Sequence, residues 1–370
     1  MTIASVQAHH LSVPLAEPIP ASAARPLTEA LSIHLVQVGV ESGACAWGEA
    51  WWSEAGELDG AVALLAEVIV GADPVDRGAL WERMVDRLTT RKEPLPAGAA
   101  ALSAIDVALW DLAGRALDLP VYQLVGGRRF ARLDAYAVGI YLEDPSVAAR
   151  KAQAMLERGF RAVKLKFGAG PERDLAVFDA VREAVGPQVP VLVDANQAYA
   201  DREVALALGI ELDRREAFWF EEPMPPGDWS DYVALRHALD TPIAGGERLR
   251  SPGAFLEAFR VGALDVAMPD VRLCGGITGL LKTAELARWF DVRISPHNWA
   301  SQLGAVASAH AALTVPGCLM TEIEATMTPA TERLLDPPLR LEDGFLALPE
   351  GPGLGVTVNA QFVEEFAVRP

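Results

Sequence analysis

The sequence predicts an α/β fold: a closed barrel of alternating strands and helices, preceded by a smaller α+β domain. Three observations carry this reading. From about residue 130, short apolar runs alternate with helical patterns, which is how a parallel sheet reads. Six of these strands run into a polar residue at the C-terminal end: Asp194, Glu221, Glu247, Asp270, His297 and Glu322, at steps of 27, 26, 23, 27 and 25 residues. One strand, one helix and two loops of a parallel barrel take roughly 30 residues, so the spacing stacks these residues at the barrel end where such folds keep their active sites. Before residue 130 the style differs, with a hairpin pattern followed by helices.

In chain order, Leu31 to Val40 alternates partly, Glu41-Ser42-Gly43 signals a turn, and Ala44 to Trp52 returns, which makes a hairpin. The Pro- and Ala-rich segment Pro14–Pro26 has no periodicity and is expected to be a long loop of the kind that serves as a lid. Helices are expected over Gly60–Val70, Asp76–Leu88 and Ala99–Ala116, the last with Leu102, Ile105, Leu109, Leu112 and Ala116 on one stripe. This α+β domain spans residues 1–128, closing at Gly126-Gly127. Eight strands follow over residues 129–325: Leu133–Gly139, Ala162–Phe167, Val191–Asp194, Phe218–Glu222, Ile243–Glu247, Asp265–Asp270, Val292–His297 and Leu319–Ile323. Helical patterns between them include Pro145–Arg158, Ala176–Val185 and Gly279–Phe290. Residues 326–370, broken by Pro337-Pro338, form a tail expected to leave the barrel and pack back on the first domain.

Composition narrows the function. Hydrophobic content of 51% with 22% charged residues excludes a disordered chain. A net charge of −18 argues against nucleic acid and against an anionic membrane, because nothing supplies a basic face. An anionic substrate then needs a metal or a local lysine cluster to invert the field. Cys45, Cys274 and Cys318 stand far apart, which fits a reducing compartment. No signal peptide is read, and the best apolar stretch, Ala61–Ala72, is broken by Glu67 and too short to span a bilayer. A cytoplasmic protein is expected.

Asp194, Glu221 and Glu247 end three consecutive strands, and neighbouring strands lie roughly 5 Å apart, so their carboxylates converge. Singly, each acid reads as well as a helix cap or a loop acid. Three in succession repel unless a cation holds them. An all-oxygen set selects Mg²⁺, or Mn²⁺ as substitute, over Zn²⁺. Lys164 and Lys166 flank Leu165 and share one face of the preceding strand. Beside a divalent cation each would lose a proton more readily, so one can serve as a neutral base at about pH 7. His297 with Asp270 makes an acid/base pair, the carboxylate fixing the imidazole's tautomer. Glu322 could bind substrate or, protonated, hydrogen-bond developing charge, with Glu324 as the competing choice. Asn196 and Glu222 are expected to stand behind the metal-holding acids. His310 reads as structural, and His9, His10, His34 and His237 carry no constellation.

The ordered set Lys164-x-Lys166, Asp194-x-Asn196, Glu221-Glu222-Pro223, Gly246-Glu247, Pro269-Asp270, His297 and Glu322 resembles the enolase superfamily, specifically its mandelate racemase subgroup. Ala104-Ile105-Asp106-Val107-Ala108-Leu109-Trp110-Asp111 and Leu124-Val125-Gly126-Gly127 resemble that family's capping-domain helix and linker. The resemblance covers nearly the whole chain. It implies a modified (β/α)7β TIM-type barrel with an N-terminal α+β capping domain completed by the C-terminal tail, one Mg²⁺ per subunit on Asp194, Glu221 and Glu247, and a homo-oligomer. It further implies abstraction of the proton α to a carboxylate, with the metal and Lys164 stabilising the enediolate. Lys166 and the His297–Asp270 dyad stand on opposite faces of the substrate. The segment Asp270–Gly276 offers no lysine, which separates the chain from the muconate-lactonizing subgroup, and Leu273 takes a place often held by lysine.

The expected activity is dehydration of an acid sugar, a small polyhydroxylated carboxylate, by analogy with the subgroup. The alternatives are a racemase or epimerase, which needs two bases on opposite faces, and a lactone cycloisomerase. A non-catalytic barrel and a metal hydrolase are less well supported: the base set is complete, and no His lies among the carboxylates. Residues that discriminate are expected at Pro14–Pro26 and Tyr136–Tyr141. With Arg25 its only cation, that loop disfavours a di-acid substrate.

Overall fold

The computed structural model describes residues 1–20, 27–91, 95–225, 227 and 229–368. It opens with an antiparallel sheet of β1 (Ile3–Ile19), β2 (Thr28–Val40) and β3 (Cys45–Ala50), with β2 central. Alternation along β2 sends its two faces to different cores. Leu31, Ile33 and Leu35 join the cluster that includes the barrel, whereas Val36, Val38 and Val40 join the helices that follow.

Among the described residues, the segment expected to be a lid is strand from Pro14 to Ile19. β1 continues through Pro14, opposite Ala30, to Ile19, opposite Thr28, after a register shift. β1 is an edge strand, where a residue without an N–H is tolerated. Residues 21–26, Arg25 among them, lie outside the described residues. A second correction concerns His10 and His34, which do form a constellation. Their Nδ1 atoms are 2.7 Å apart across β1 and β2, and His10 Nε2 lies 2.9 Å from Asp59 Oδ1. Strand register brings them together, and spacing along the chain does not report register.

Helices α1 (Ala55–Ile69), α2 (Arg77–Thr89), α3 (Gly98–Leu117) and α4 (Val121–Val125) follow. α3 is buried on two sides. Leu102, Ile105, Leu109 and Leu112 face the capping core, while Val107 and Trp110 join the barrel core. Ala116 is exposed at the helix end and off the expected stripe.

The barrel strands are β4 (Leu133–Ile140), β5 (Ala162–Lys166), β6 (Val191–Asp194), β7 (Phe220–Glu221), β8 (Ile243–Gly245), β9 (Val266–Ala267), β10 (Arg293–Ile294) and β11 (Thr321–Glu324). All pair in parallel, and β11 returns to pair with β4. Ile294 bridges Cys318, and Leu319 N donates to Ile294 O at 2.8 Å, which closes the ring. The ladders of β9 and β10 are shorter than expected. Pro269 and Pro296 lack an N–H, so pairing beyond them survives as single bonds such as His297 N to Pro269 O at 3.3 Å.

Connecting helices are α5 (Pro145–Glu157), α6 (Pro171–Val185), α7 (Arg202–Arg214), α8 (Ser230–Ala238), α9 (Pro252–Val261), α10 (Gly276–Trp289) and α11 (Gln302–Ala312). Proline in the first turn starts α5, α6 and α9, and Asp201, Ser251 and Ser301 cap α7, α9 and α11. α3 docks on α10: Thr278 N and Oγ1 donate to Asp106 at 2.9 and 2.7 Å, and Trp110 Nε1 donates to Thr278 Oγ1 at 2.9 Å. Burial pushes the Asp106 carboxyl up to about 7. Asp106→Ala leaves a buried N–H unpaired and is expected to lower stability by about 1–3 kcal/mol. Urea unfolding measures this, and a wild-type midpoint would show that these bonds do not hold the interface.

The tail comprises α12 (Pro329–Arg333), β12 (Leu335–Asp336), β13 (Arg340–Glu342), β14 (Phe345–Ala347), β15 (Thr357–Val358) and α13 (Ala360–Phe366). β14 pairs antiparallel with the start of β4. The tail then returns to the capping sheet and α3. Leu354 N donates to Asp111 at 2.8 Å, Val368 N donates to His10 O at 2.8 Å, and Ala367 bridges Leu11. His310, read as structural, is buried, stacks on Tyr122 and lies 3.1 Å from Leu354 O. No described helix is long and apolar enough to cross a membrane.

Candidate active site

The strand ends bring Lys164, Lys166, Asp194, Glu221, Glu247, Asp270, His297 and Glu322 into one buried group, in which Lys166, at 9%, is the most exposed. Register does this. Lys166 pairs with Asp194 and Asp194 with Glu221 across β5, β6 and β7, so residues of like height point into the same ring.

Carboxylate oxygens of Asp194, Glu221 and Glu247 all lie within 4.8 Å of one another. Burial and then the Asp194 charge push the Glu221 carboxyl up, a direct mark of anions forced together. Glu247 Oε2 is buried and accepts no well-aligned hydrogen bond among the described residues, with His297 Nε2 3.3 Å away. An all-oxygen set of buried, converging carboxylates fits a hard divalent cation.

Lys164 Nζ lies 3.0 Å from Glu221, 3.1 Å from Glu322 and 3.4 Å from Asp194. Burial opposes its charge, but these carboxylates hold its pKa well above the usual value. Lys166 Nζ donates to Asp194. Burial alone would lower its pKa, yet Asp194 raises it. As a bare carboxylate Asp194 favours the ammonium form of Lys166, whereas the neutral lysine is expected beside a divalent cation.

His297 Nδ1 lies 2.7 Å from Asp270 Oδ2, and its Nε2 lies 3.3 Å from Glu247 Oε2. Burial disfavours the imidazolium, but Glu322, Glu247 and Asp270 outweigh it and raise the pKa. Glu322 accepts from Tyr136 Oη at 2.8 Å and from Asn298 N at 3.2 Å. Glu324 accepts instead from Tyr141 Oη at 2.8 Å and Thr326 N at 2.8 Å. Of the two acids, Glu322 is the one that contacts Lys164.

Asn196 approaches the acids through its backbone. It adopts φ 46°, and its N–H donates to Asp194 Oδ1 at 2.8 Å. Glu222 accepts from Gly246 N at 2.7 Å and from Gln197 Nε2, so it fixes the backbone just before Glu247. Burial, then Glu247, raises its pKa to about 7. Leu273, at the place often held by lysine, is buried in the capping core.

Several residues escaped sequence reasoning. Arg272 grips Asp270 through Nε (3.0 Å) and Nη2 (2.6 Å), and its Nη1 reaches Glu49 of β3 at 3.1 Å. Trp51 stacks on His297 with ring centroids 5.1 Å apart. A charged residue in an apolar run flags Arg272, but its partner on another domain leaves no mark in local sequence. A cavity of about 370 Å³ between capping sheet and barrel is lined by Ser32, Trp51, Trp52, Arg248, Arg250 and Trp299, among others. Its cations are Arg248 and Arg250 from the loop after β8 and Arg272 from the loop after β9, which the reading based on Arg25 did not anticipate.

A capped (β/α)7β barrel with a carboxylate triad flanked by lysines and a histidine defines an enzyme of the enolase superfamily. Residues 5–126 match the mandelate racemase / muconate lactonizing enzyme N-terminal domain, and residues 147–362 match the enolase C-terminal domain-like family. The chain belongs to the mandelate racemase / muconate lactonizing enzyme family. It is 33% identical over 381 residues to D-galactarolactone cycloisomerase of Agrobacterium fabrum, covering 99% of each chain. It is 29% identical to D-xylonate dehydratase of Haloferax volcanii, over 90% of this chain and 85% of that one. A racemase from Streptomyces coelicolor A3(2), solved with bound magnesium, superimposes with a TM-score of 0.90 at 27% identity, over 99% of this chain and 100% of that one.

Proposed function

We propose that the protein abstracts the proton α to the carboxylate of an acid sugar and expels a β-hydroxyl as water, forming a 2-keto-3-deoxy acid. One observation carries the reading. Two groups able to move protons touch the carboxylate triad at its two ends, Lys166 at Asp194 and His297 at Glu247. Asp194, Glu221 and Glu247 would hold Mg²⁺, with Mn²⁺ as substitute, and the bound cation supplies positive charge for the substrate carboxylate. With its charge engaged by that cation, Asp194 would hold Lys166 less strongly, which would favour the neutral amine. Lys164 stays charged and faces the carboxylate end of the substrate. His297, its Nδ1 fixed by Asp270, presents Nε2 on the other side. In dehydration one of Lys166 and His297 takes the α-proton, and the other protonates the departing hydroxyl. The C–H and C–O bonds break, water leaves, and the enol becomes the keto acid.

The cavity volume suits a small acid, and Arg248 and Arg250 supply local positive charge that the chain as a whole lacks. The three free cysteines fit a reducing, cytoplasmic setting. A second reading, racemisation or lactone cycloisomerisation, uses the same two groups and is favoured by full-length similarity to a cycloisomerase. A library of acid sugars and lactones in D₂O tests both. A keto product marks dehydration, and deuterium at the α-carbon without a keto product marks the isomerase reading. Turnover of an acid without α-exchange or keto product would remove α-proton abstraction altogether.

A further inference from the structure

We infer that Glu49 of the capping sheet, acting through Arg272, is a positioning residue for His297, so that proton transfer on one face of the substrate depends on the capping domain and transfer on the other does not. The inference rests on the reading of Lys166 and His297 as the two proton-transfer groups.

Four charged or ionisable side chains form a buried line: Glu49 (4% exposed), Arg272 (3%), Asp270 (0%) and His297 (3%). Arg272 is its hub. Its guanidinium holds both oxygens of Asp270, and Asp270 Oδ2 in turn meets His297 Nδ1 at 2.7 Å. Arg272 Nη1 is shared between Glu49 Oε1 at 3.1 Å and Trp299 O at 2.6 Å. The guanidinium thus grips the chain on both sides of the histidine, at Asp270 and at Trp299, and is itself held from the capping sheet. A planar fork with five N–H groups can do this, whereas an ammonium on a flexible stem cannot.

Glu49 is fixed in its turn. Its Oε2 accepts from Gly304 N at 3.3 Å. Gly48, beside it, lies so close to α3 that a Cβ there would come within 1.9 Å of Ala104 O, so β3 seats against the helix only with glycine at that position. Gly304 leaves the room that Arg272 fills, since a Cβ there would meet Arg272 Cδ at 2.8 Å. The same capping segment makes two further contacts, one to Arg272 and one to the dyad itself. Trp51 N donates to Arg272 O at 3.2 Å, and the Trp51 ring stacks on the imidazole.

The lysine side is built differently. Among the described residues, the ion pairs of Lys164 and Lys166 are all with barrel residues: Asp194, Glu221 and Glu322. Loosening the Glu49–Arg272 contact therefore releases the imidazole and leaves the lysines in place. Partners behind a first ring of functional groups typically contribute ~10–100-fold, and a small misplacement of a reacting group has an effect of similar size.

The test uses the full chain with Mg²⁺ and variants Glu49→Gln, Glu49→Ala and Arg272→Lys. In protein labelled with ¹⁵N-histidine, the His297 ring correlation, identified by its loss in His297→Asn, reports the tautomer without substrate. At a pH high enough for the imidazole to be neutral, the wild type is expected to show a single Nδ1–H tautomer. Glu49→Ala and Arg272→Lys should show mixed tautomers, with Glu49→Gln between. The second arm follows α-hydrogen exchange in D₂O with D-gluconate and with its C2 epimer. Exchange of the epimer whose hydrogen faces His297 should fall by ~10–100-fold in Glu49→Ala, and that of the other by less than about twofold. An unchanged histidine tautomer overturns the inference, as does an equal loss on both faces. Absence of exchange with either epimer in the wild type counts against the proposed function, and the tautomer arm then decides this inference alone.

Discussion

Chelation of divalent cations is expected to abolish turnover and α-hydrogen exchange, and Mg²⁺ to restore both. The expectation follows from three carboxylates whose oxygens sit within 4.8 Å of one another in a buried site. Without a cation the triad is an electrostatic liability, and Lys166 is held as an ammonium by Asp194. Both effects act against proton abstraction. A divalent cation contributes several kcal/mol to developing negative charge, and about 1.4 kcal/mol is a factor of ten in rate. The loss should therefore reach ~10³-fold or more. Full activity in metal-free protein would remove the metal from the mechanism. Calorimetry of Mg²⁺ binding to Glu221→Gln, expected to be much weaker than wild type, checks the ligand assignment separately.

His297→Asn is expected to reduce turnover by about 10²–10⁴-fold, the usual contribution of a positioned acid or base, while Mg²⁺ affinity stays near wild type. Asparagine can keep a hydrogen bond to Asp270 but cannot exchange a proton. His297 Nε2 does lie 3.3 Å from Glu247 Oε2. The variant therefore asks whether that contact reflects proton chemistry or upkeep of the triad. Loss of Mg²⁺ binding would assign His297 to the metal site and leave Lys166 as the remaining proton-transfer group.

Much of this was readable along the chain because a parallel barrel repeats at a fixed unit. Each unit ends a strand at the same height, so spacing alone gathers Asp194, Glu221, Glu247, Asp270, His297 and Glu322. What was not readable depends on contacts between units far apart. Arg272 stands two residues from Asp270, yet its tie to Glu49 is made only when the capping sheet docks. His10 and His34 meet through strand register. Proline and alanine disfavour a strand, so Pro14–Pro26 reads as a loop, but pairing with β2 overrides that preference from Pro14 to Ile19. The short ladders of β9 and β10 follow from Pro269 and Pro296, which composition alone does not weigh correctly.

The bridge between Leu11 and Ala367 has a consequence for how the chain is made. Domains emerging from a ribosome generally fold in the order of synthesis. β1, β2 and β3 are complete before any barrel strand exists, and Glu49 and Trp51 are then displayed with neither Arg272 nor His297 to receive them. The outer edge of β1 around Leu11 is covered only when residue 367 arrives. The capping domain is thus a template that waits, with an open edge, for the histidine it will hold. Pulsed hydrogen exchange on stalled nascent chains should find the β1 amides that face β2, Leu11 among them, protected before residue 360 is made, and the amide of Ser12, on the edge where His10 O accepts from Val368 N, protected only afterwards. Protection of all of them at one chain length would instead mean that cap and barrel form together.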